Sequence, residues 1–416
     1  MLSVTPKIDA PWLQSSALQA LLGTLNADGE EARVVGGAVR NTLLNLPVTD
    51  VDVATTTLPD ETMRRAAAAG FRPIPTGIDH GTITVVTPER PFEVTTLRRD
   101  VATDGRHATV AFGRDWAVDA GRRDFTINAL YCDADGTILD PAGGLADLPE
   151  QRLRFIGDAA ARIEEDYLRI LRFFRFFAWY GRGRPDAEGL RACARLKDGL
   201  RKLSAERVWS ELRKLLGARD PSRALLWMRQ AGVLTVVMPE SERWGIDAIH
   251  GLVTAEQQLG WSADAMLRLE AIVPPDEARL AELARRLRLS NAERDRLLAF
   301  ATAEEPVAEE SDGSFRRRLY FGDRQAVIDR LRLAYAAALA KGEEAPGGLS
   351  RAAILARQLS AAERFDPPAF PLSGDDLAAA GIAAGPEMGR QLKSLRDAWV
   401  DSGFVMTPEQ LLARLE

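Results

Sequence analysis

The chain has 416 residues, 46% hydrophobic and 27% charged, which leaves room for two to four globular domains and excludes a disordered or fibrous protein. A net charge of −6 excludes a uniformly basic surface, so any nucleic-acid contact must rest on a local patch. Two cysteines, Cys132 and Cys193, build neither a disulfide framework nor a Cys-rich zinc site. No apolar run is long enough to span a bilayer and no secretory pattern opens the chain, so a soluble, cytoplasmic protein without membrane contact is expected.

Leu18, Leu21, Leu22 and Leu25 recur at helical spacing and predict an amphipathic helix over 12–26. Next comes Arg33-Val34-Val35-Gly36-Gly37-Ala38-Val39-Arg40, a β-branched run breaking into a Gly-Gly turn, with a helix expected over 39–46. Such a turn lets backbone N–H groups approach an anion closely, and a following helix N-terminus favours phosphate. In Thr49-Asp50-Val51-Asp52-Val53 the two aspartates stand two apart, and in an extended strand they share a face. Side-by-side carboxylates repel and one pKa rises unless a cation lies between them; hard oxygen ligands suit Mg2+. A phosphate cradle beside a metal-binding carboxylate pair points to phosphoryl or nucleotidyl transfer. A solvated turn or strand end is the competing reading of the Asp-x-Asp alone.

A helix over 59–69 begins at Pro59 and ends at Gly70. Strands are expected at 72–74, 81–86 and 92–97, giving an α/β or α+β sheet domain. Glu93 on the third of these is a third metal-site carboxylate or a group that polarises an attacking hydroxyl, unless it merely faces water from an edge strand. Residues 98–120 show no clear periodicity and read as an irregular loop acting as a mobile lid. In Gly121-Arg122-Arg123-Asp124-Phe125-Thr126-Ile127-Asn128-Ala129-Leu130-Tyr131, Arg123 is placed to reach a triphosphate, with Asp124 and Asn128 holding it. A strand pair around Asp135-Gly136 follows, and Asp140-Pro141-Ala142-Gly143-Gly144 leads out of the sheet.

From Arg152 the pattern is helical to the end. Asp166, Arg169, Arg172 and Arg175 recur every three residues and predict one ridge of a single helix, with Leu168, Leu171, Phe174 and Phe177 facing elsewhere. Three arginines on one ridge repel unless an anion lies against them. A carboxylate beside a guanidinium can also copy a Watson–Crick edge, Asp166 accepting from an exocyclic amine and Arg169 donating to the adjacent ring nitrogen. Cytosine and adenine offer that order, whereas guanine and uracil reverse it at a cost of roughly 1–3 kcal/mol per mismatched group. Further helices are expected at 204–216, 220–231, 275–287, 291–302, 324–339 and 386–399, with an acidic linker at 304–314 and a glycine-rich break at 342–348. Arg390, Lys393 and Arg396 give the last of these helices a basic face suited to a nucleic-acid backbone, or to ordinary packing.

Four of these ordered motifs together resemble the class II tRNA nucleotidyltransferase and bacterial poly(A) polymerase family of the polymerase-β superfamily. They are Val35-Gly36-Gly37-Ala38-Val39-Arg40 with Asp50-Val51-Asp52, the Arg122–Ala129 stretch, Asp140–Gly144, and Glu165-Asp166-Tyr167-Leu168-Arg169-Ile170-Leu171-Arg172-Phe173. The resemblance covers residues 30–216 and, more weakly, the segment from Gly374 to Pro386. It departs at Asn41, where many relatives carry Asp, and its optional metal-dependent phosphohydrolase domain is not expected.

The resemblance implies an α+β chain: a small mixed-sheet nucleotidyltransferase head at 1–145, then an all-α neck (146–218), body (219–345) and tail (346–416). It implies Mg2+ on Asp50 and Asp52, with Glu93 alongside. Gly36, Gly37, Arg40 and Arg123 would contact triphosphate and sugar, Asp166 and Arg169 would select the base, and Arg172 and Arg175 would help hold the nucleotide. The implied activity is template-independent addition of CCA to the tRNA 3′ end from CTP and ATP. The alternatives within the family are poly(A) synthesis and A-only addition.

Overall fold

The structure, a computed structural model, describes residues 6–104, 107–242, 246–307, 309–342 and 348–415. It divides into two compact units, Met1–Val237 and Met238–Glu416.

The first unit is built on a mixed sheet of seven strands in the order β3-β4-β5-β2-β1-β8-β9. These are β1 (Ala32–Val35), β2 (Asp52–Thr55), β3 (Arg72–Gly77), β4 (Thr82–Val86), β5 (Pro91–Thr96), β8 (Tyr131–Cys132) and β9 (Ile138–Leu139). Only β2 and β5 run parallel. Three helices belong to this sheet: α1 (Ser16–Leu25), α2 (Gly37–Leu43) and α3 (Pro59–Ala68). The leucines that predicted α1 are its buried face, and Ser15 caps it by accepting from the N–H of Leu18. Val34, Val53, Ile83, Val85 and Val94 alternate into the sheet core and are at most 1% exposed.

Residues 98–120 are not an irregular loop. They form a hairpin, β6 (Arg98–Asp104) and β7 (His107–Phe112), followed by a short helix, α4 (Trp116–Gly121). The hairpin is its own two-stranded sheet with a register shift between Asp100 and Ala102. Its mixture of charged and small residues gives no apolar alternation to read. Gly105 and Arg106, within the stretch expected to be a lid, lie outside the described residues.

The rest of the unit is helical: α5 (Gly144–Asp147), α6 (Ala159–Glu165), α7 (Leu168–Tyr180), α8 (Ala187–Leu196), α9 (Ala205–Leu216), α10 (Ser222–Gln230) and α11 (Val233–Val237). Phe125 ties α7 to the sheet motif. Its ring centroid lies 5.0 Å from Phe155 and 5.2 Å from Phe176, and Phe155 stacks on Phe173 at 5.4 Å. Aromatic burial of this kind fixes where the polar face of α7 points.

The second unit is helical throughout its described residues, with α12 (Ala248–Leu259), α13 (Ala265–Ile272), α14 (Glu277–Leu287), α15 (Asn291–Thr302), α16 (Asp312–Phe321), α17 (Arg324–Lys341), α18 (Gly348–Arg364), α19 (Gly374–Ala379), α20 (Pro386–Asp401) and α21 (Pro408–Leu412). Leu331, Leu355 and Phe315 centre one core, and Trp399, Leu377 and Leu411 another. The acidic linker is shorter than expected because α16 starts at Asp312, and residues 343–347 of the glycine-rich break lie outside the described residues.

Candidate active site

Asp52 opens β2 and pairs in register with Val35 of β1 on one side and Glu93 of β5 on the other. In-register neighbours project to the same face, so Asp52 and Glu93 stand side by side. β5 lies between β4 and β2, so Glu93 is not on an edge strand, although it is exposed. Asp50 is not in the strand. It precedes β2 on the connecting loop with its side chain 87% exposed, so strand alternation is not what brings it near Asp52.

Burial, the nearby Glu93 and then Asp50 push the Asp52 carboxyl above its ordinary pKa, while Arg123 and Arg90 oppose this. Among the described residues no three metal-binding side chains converge into a closed site. The set is an open one of hard oxygens, whose mutual repulsion a divalent cation would remove. Such a set fits a metal that also takes phosphate oxygens as ligands.

The Gly-Gly turn lies beside this group. Gly36 has φ +68°, which strains any residue with a side chain, and a Cβ there would lie in contact with the Asn128 carbonyl oxygen at 3.4 Å. Gly37 then begins α2. Arg123 Nη1 lies 3.8 Å from that same Cβ position, so the guanidinium borders the turn. Its Nε and Nη2 are held by Asp119 at 3.2 and 3.1 Å, and Nε also reaches the Tyr131 hydroxyl at 3.2 Å. Burial alone would lower the Arg123 pKa, but Asp119 and Tyr131 outweigh it and raise it.

Arg40 is enclosed. Its Nε and Nη2 donate to Asn41 Oδ1 at 3.1 and 2.8 Å, Nη2 also donates to the Tyr180 hydroxyl at 2.7 Å, and Nη1 donates to Asn128 Oδ1. Four of the five N–H donors of its guanidinium are occupied, leaving one on Nη1. Arg40 therefore ties α2 to α7 more than it presents a charged fork. Asn41 also donates to the Pro47 carbonyl at 2.8 Å, so the departure from Asp at this position keeps an oxygen for Arg40 and adds a donor for the loop.

The segment from Glu165 to Arg175 differs from the single ridge expected. α6 ends at Glu165, Asp166 is extended with φ −154° and ψ 106°, and α7 begins at Leu168. Asp166 accepts from the Leu168 N–H at 3.1 Å and from Arg207 Nη2 at 2.6 Å. Arg169 donates through Nη1 to Glu165 at 2.6 Å and to the Arg162 carbonyl at 2.9 Å, and through Nη2 to the Arg122 carbonyl at 3.1 Å. One Nη2 hydrogen and the Nε–H of Arg169 remain, as do lone pairs on Asp166.

Nor do the arginines of α7 lack counter-charges. Arg172 pairs with Asp124 and lies 4.0 Å from Glu211, while Arg175 pairs with Glu211 at 2.6 Å. Asp124 and Glu211 come from other elements, which relieves the repulsion that the ridge alone implied. One cleft of about 530 Å³ is lined by Gly36, Gly37, Arg40, Asp52, Arg123, Asp124, Asn128, Asp166, Arg169, Arg172 and Arg207. Asp50, Glu93 and Arg175 are not on that lining.

Residues 32–154 match the family model described as the poly A polymerase head domain, and residues 185–244 match one described as a probable RNA and SrmB- binding site of polymerase A. The mitochondrial CCA tRNA nucleotidyltransferase 1 of Mus musculus is 35% identical over 431 residues, covering 99% of this chain and 93% of that protein. Its Homo sapiens counterpart is 33% identical with the same coverage. This chain belongs to the CCA tRNA nucleotidyltransferase family. A solved CCA-adding enzyme of Bacillus stearothermophilus, in complex with CTP, shares the fold with a TM-score of 0.78 at 27% identity, covering 97% of both chains. The fold class read from the sequence, a small mixed sheet followed by helices, is that of this CCA tRNA nucleotidyltransferase family.

Within this family member, sequence reasoning missed Asp119, Tyr131, Tyr180, Arg207 and Glu211. Glu211 left a signal: it shares the buried face of α9 with Val208, Leu212 and Leu215 and is itself only 5% exposed. A charge on an apolar stripe demands a partner. Arg207 and Tyr180 left none, because their roles depend on where α7 and α9 pack. No helix among the described residues is long and apolar enough to cross a membrane.

Proposed function

We propose that this chain adds CCA to the 3′ end of tRNA from CTP and ATP. The observation that carries the reading is the convergence in one cleft of Asp52, the Gly36-Gly37 turn and the Asp166–Arg169 pair, in a chain similar end to end to named CCA tRNA nucleotidyltransferases. The terminal ribose hydroxyl attacks the α-phosphorus, one P–O bond forms, the bond to the β-phosphate bridging oxygen breaks, and pyrophosphate leaves.

Asp50 and Asp52, with Glu93 beside them, would hold Mg2+, which when bound in pairs neutralises phosphate charge and acidifies the attacking hydroxyl. The Gly37 N–H at the start of α2 and the Nη1 of Arg123 receive the triphosphate; Gly36 shapes the turn, its own N–H being donated to the Leu130 carbonyl at 3.0 Å. Arg40, Arg172 and Arg175 brace the cleft around it, with Arg172 able to face the nucleotide. Asp166 accepts from the exocyclic amine of C or A, and Arg169 donates to the neighbouring ring nitrogen through its remaining N–H groups.

The finer divisions at 145, 218 and 345 into head, neck, body and tail, and a cytoplasmic setting, belong to the same proposal. Support for the first division comes from β9, the last strand among the described residues, which ends at Leu139. The first compact unit continues through α11 to Val237, beyond the boundary at 218.

Purified protein should be offered tRNAs ending before CCA, after C and after CC, with each labelled nucleotide in turn. Ordered incorporation of two C and one A is expected. A long A tail on any RNA, or A addition alone, overturns the assignment.

A further inference from the structure

Of the three carboxylates Asp50, Asp52 and Glu93, Asp50 is the one outside the sheet, its carboxylate accepting from the neighbouring Thr49 hydroxyl at 3.0 Å. The β1–β2 ladder stops at Val35 opposite Asp52, so no strand pairing reaches it. The loop that carries it is held at its start by the Leu46 N–H on the Asn41 carbonyl (2.8 Å) and by Asn41 on the Pro47 carbonyl (2.8 Å). At its end, Arg90 Nη2 donates to the Thr49 carbonyl and lies 4.0 Å from Asp50 Oδ1.

Arg90 sits on the turn between β4 and β5, and that turn is itself fixed. Thr87 accepts no freedom from it: its N–H and hydroxyl both donate to the Arg90 carbonyl, at 3.2 and 2.8 Å. Glu89 receives the hydroxyls of Ser15 and Ser16 at 2.5 and 2.7 Å and the Ala17 N–H at 3.1 Å, which fastens the turn to the first residues of α1.

We propose that Arg90 is a positioning residue that, braced through Glu89 on α1, holds the Asp50 loop against β2 so that Asp50 meets Asp52. The inference rests on the reading of Asp50 and Asp52 as metal ligands. Arg90 has two separable effects. Its hydrogen bond to Thr49 places the loop, and its charge offsets the crowding of Asp50, Asp52 and Glu93 before a cation arrives. The two act oppositely on a cation: losing the tether weakens its binding, and losing the positive charge strengthens it. Arg90→Lys keeps the charge and a terminal donor that extends beyond the Nε position toward the Thr49 carbonyl, whereas Arg90→Ala removes both.

The test compares wild type, Arg90→Lys and Arg90→Ala, each checked for an unchanged melting profile. In metal-free protein, hydrogen exchange at residues 48–51 should be about tenfold faster in Arg90→Ala, the effect of one lost charge-assisted bond, and closer to wild type in Arg90→Lys. Mn2+ binding followed by electron paramagnetic resonance should be several-fold weaker in Arg90→Ala than in Arg90→Lys, because the lost tether outweighs the removed positive charge. Wild-type exchange in Arg90→Ala, or equal Mn2+ affinity in the two variants, overturns the proposal. Mn2+ binding that survives unaltered in Asp52→Asn overturns the metal-site reading itself, and this inference with it.

Discussion

Replacing Asp124 by Asn tests whether the cleft is held together by charge. Asp124 is 7% exposed and sits at the centre of a chain of contacts. Its Oδ2 receives Arg172 through Nε at 2.7 Å and through Nη2, while Oδ1 receives the Phe125 N–H at 2.9 Å and Asn128 Nδ2 at 3.0 Å. Asn128 in turn receives Arg40, which reaches Tyr180. Asn is nearly isosteric but neutral, so Arg172 would be left with Glu211 at 4.0 Å as its nearest carboxylate.

Removing one partner of a fully buried pair costs about 3–5 kcal/mol. The Arg172 side chain is 32% exposed, and water screens part of the loss. A figure of about 2 kcal/mol follows, which is roughly thirtyfold in an opening equilibrium. Hydrogen exchange of the α7 amides reads that opening in the first unit alone.

The pH dependence has a definite sign. Burial alone would raise the Asp124 pKa, but Arg172, Asn128 and the Phe125 N–H outweigh it, so the folded value lies below the ordinary 3.8. A carboxylate with a depressed folded pKa contributes stability that is fully present above 3.8 and fades as acid reaches the folded value. The gap between wild type and Asp124→Asn should therefore be full at neutral pH and close in acid. Exchange of α7 within threefold of wild type at pH 7, or a gap that does not close in acid, refutes the reasoning.

Asp52→Asn should lower nucleotide incorporation by about a thousandfold or more while leaving the melting profile intact, because the site loses one of its two proposed metal ligands; retained incorporation refutes the assignment. Substituting Asp166 and Arg169 together by Ala should let G or U compete with C and A, by roughly 1–3 kcal/mol per lost contact; unchanged preference in a four-nucleotide competition refutes the edge-reading role. In the second unit, Glu270 is 2% exposed, neither oxygen has a hydrogen-bond partner among the described residues, and Arg296 Nε lies 3.9 Å away, already bonded to Asp329 at 2.9 Å. Burial first, and then Asp329, hold the Glu270 carboxyl well above its ordinary 4.5, so folding loses stability as pH rises above that value. Glu270→Met should raise the stability of this unit at pH 8 by about 1–3 kcal/mol, with a smaller gain near pH 4.5, as measured by exchange of α13 amides; equal or lower stability at pH 8 refutes it.

Much of the first unit is legible from local pattern. The α1 leucines, the β-branched run before Gly36 and the Pro59 helix start each carry their own structural cause, so their elements lie where periodicity and turn chemistry place them. The β6–β7 hairpin has no such cause. Its strands form a two-stranded sheet apart from the main one, and its sequence has no regular apolar alternation to read. The break at Asp166 is invisible for a related reason. Glu165 to Phe176 reads as one helix by spacing alone, yet the Asp166 carboxylate is shared between the Leu168 N–H at 3.1 Å and a partner 41 positions later, Arg207, at 2.6 Å.

The same distinction explains the arginines. Read along one helix, Arg169, Arg172 and Arg175 are a repelling row that calls for an external anion. Read in three dimensions, each has an internal one: Glu165 from the end of α6, Asp124 from the sheet motif and Glu211 from α9. A nucleotide entering the cleft therefore competes with built-in carboxylates for at least part of this charge. Charge–charge attraction alone then yields little net gain for phosphate at Arg175, whose partner is 6% exposed in its side chain. Arg123 differs: its Nη1 borders the Gly36 turn while Asp119 occupies its Nε and Nη2. Triphosphate affinity, measured by nucleotide titration, should accordingly fall more in Arg123→Ala than in Arg175→Ala, and an equal loss in the two variants refutes this ordering.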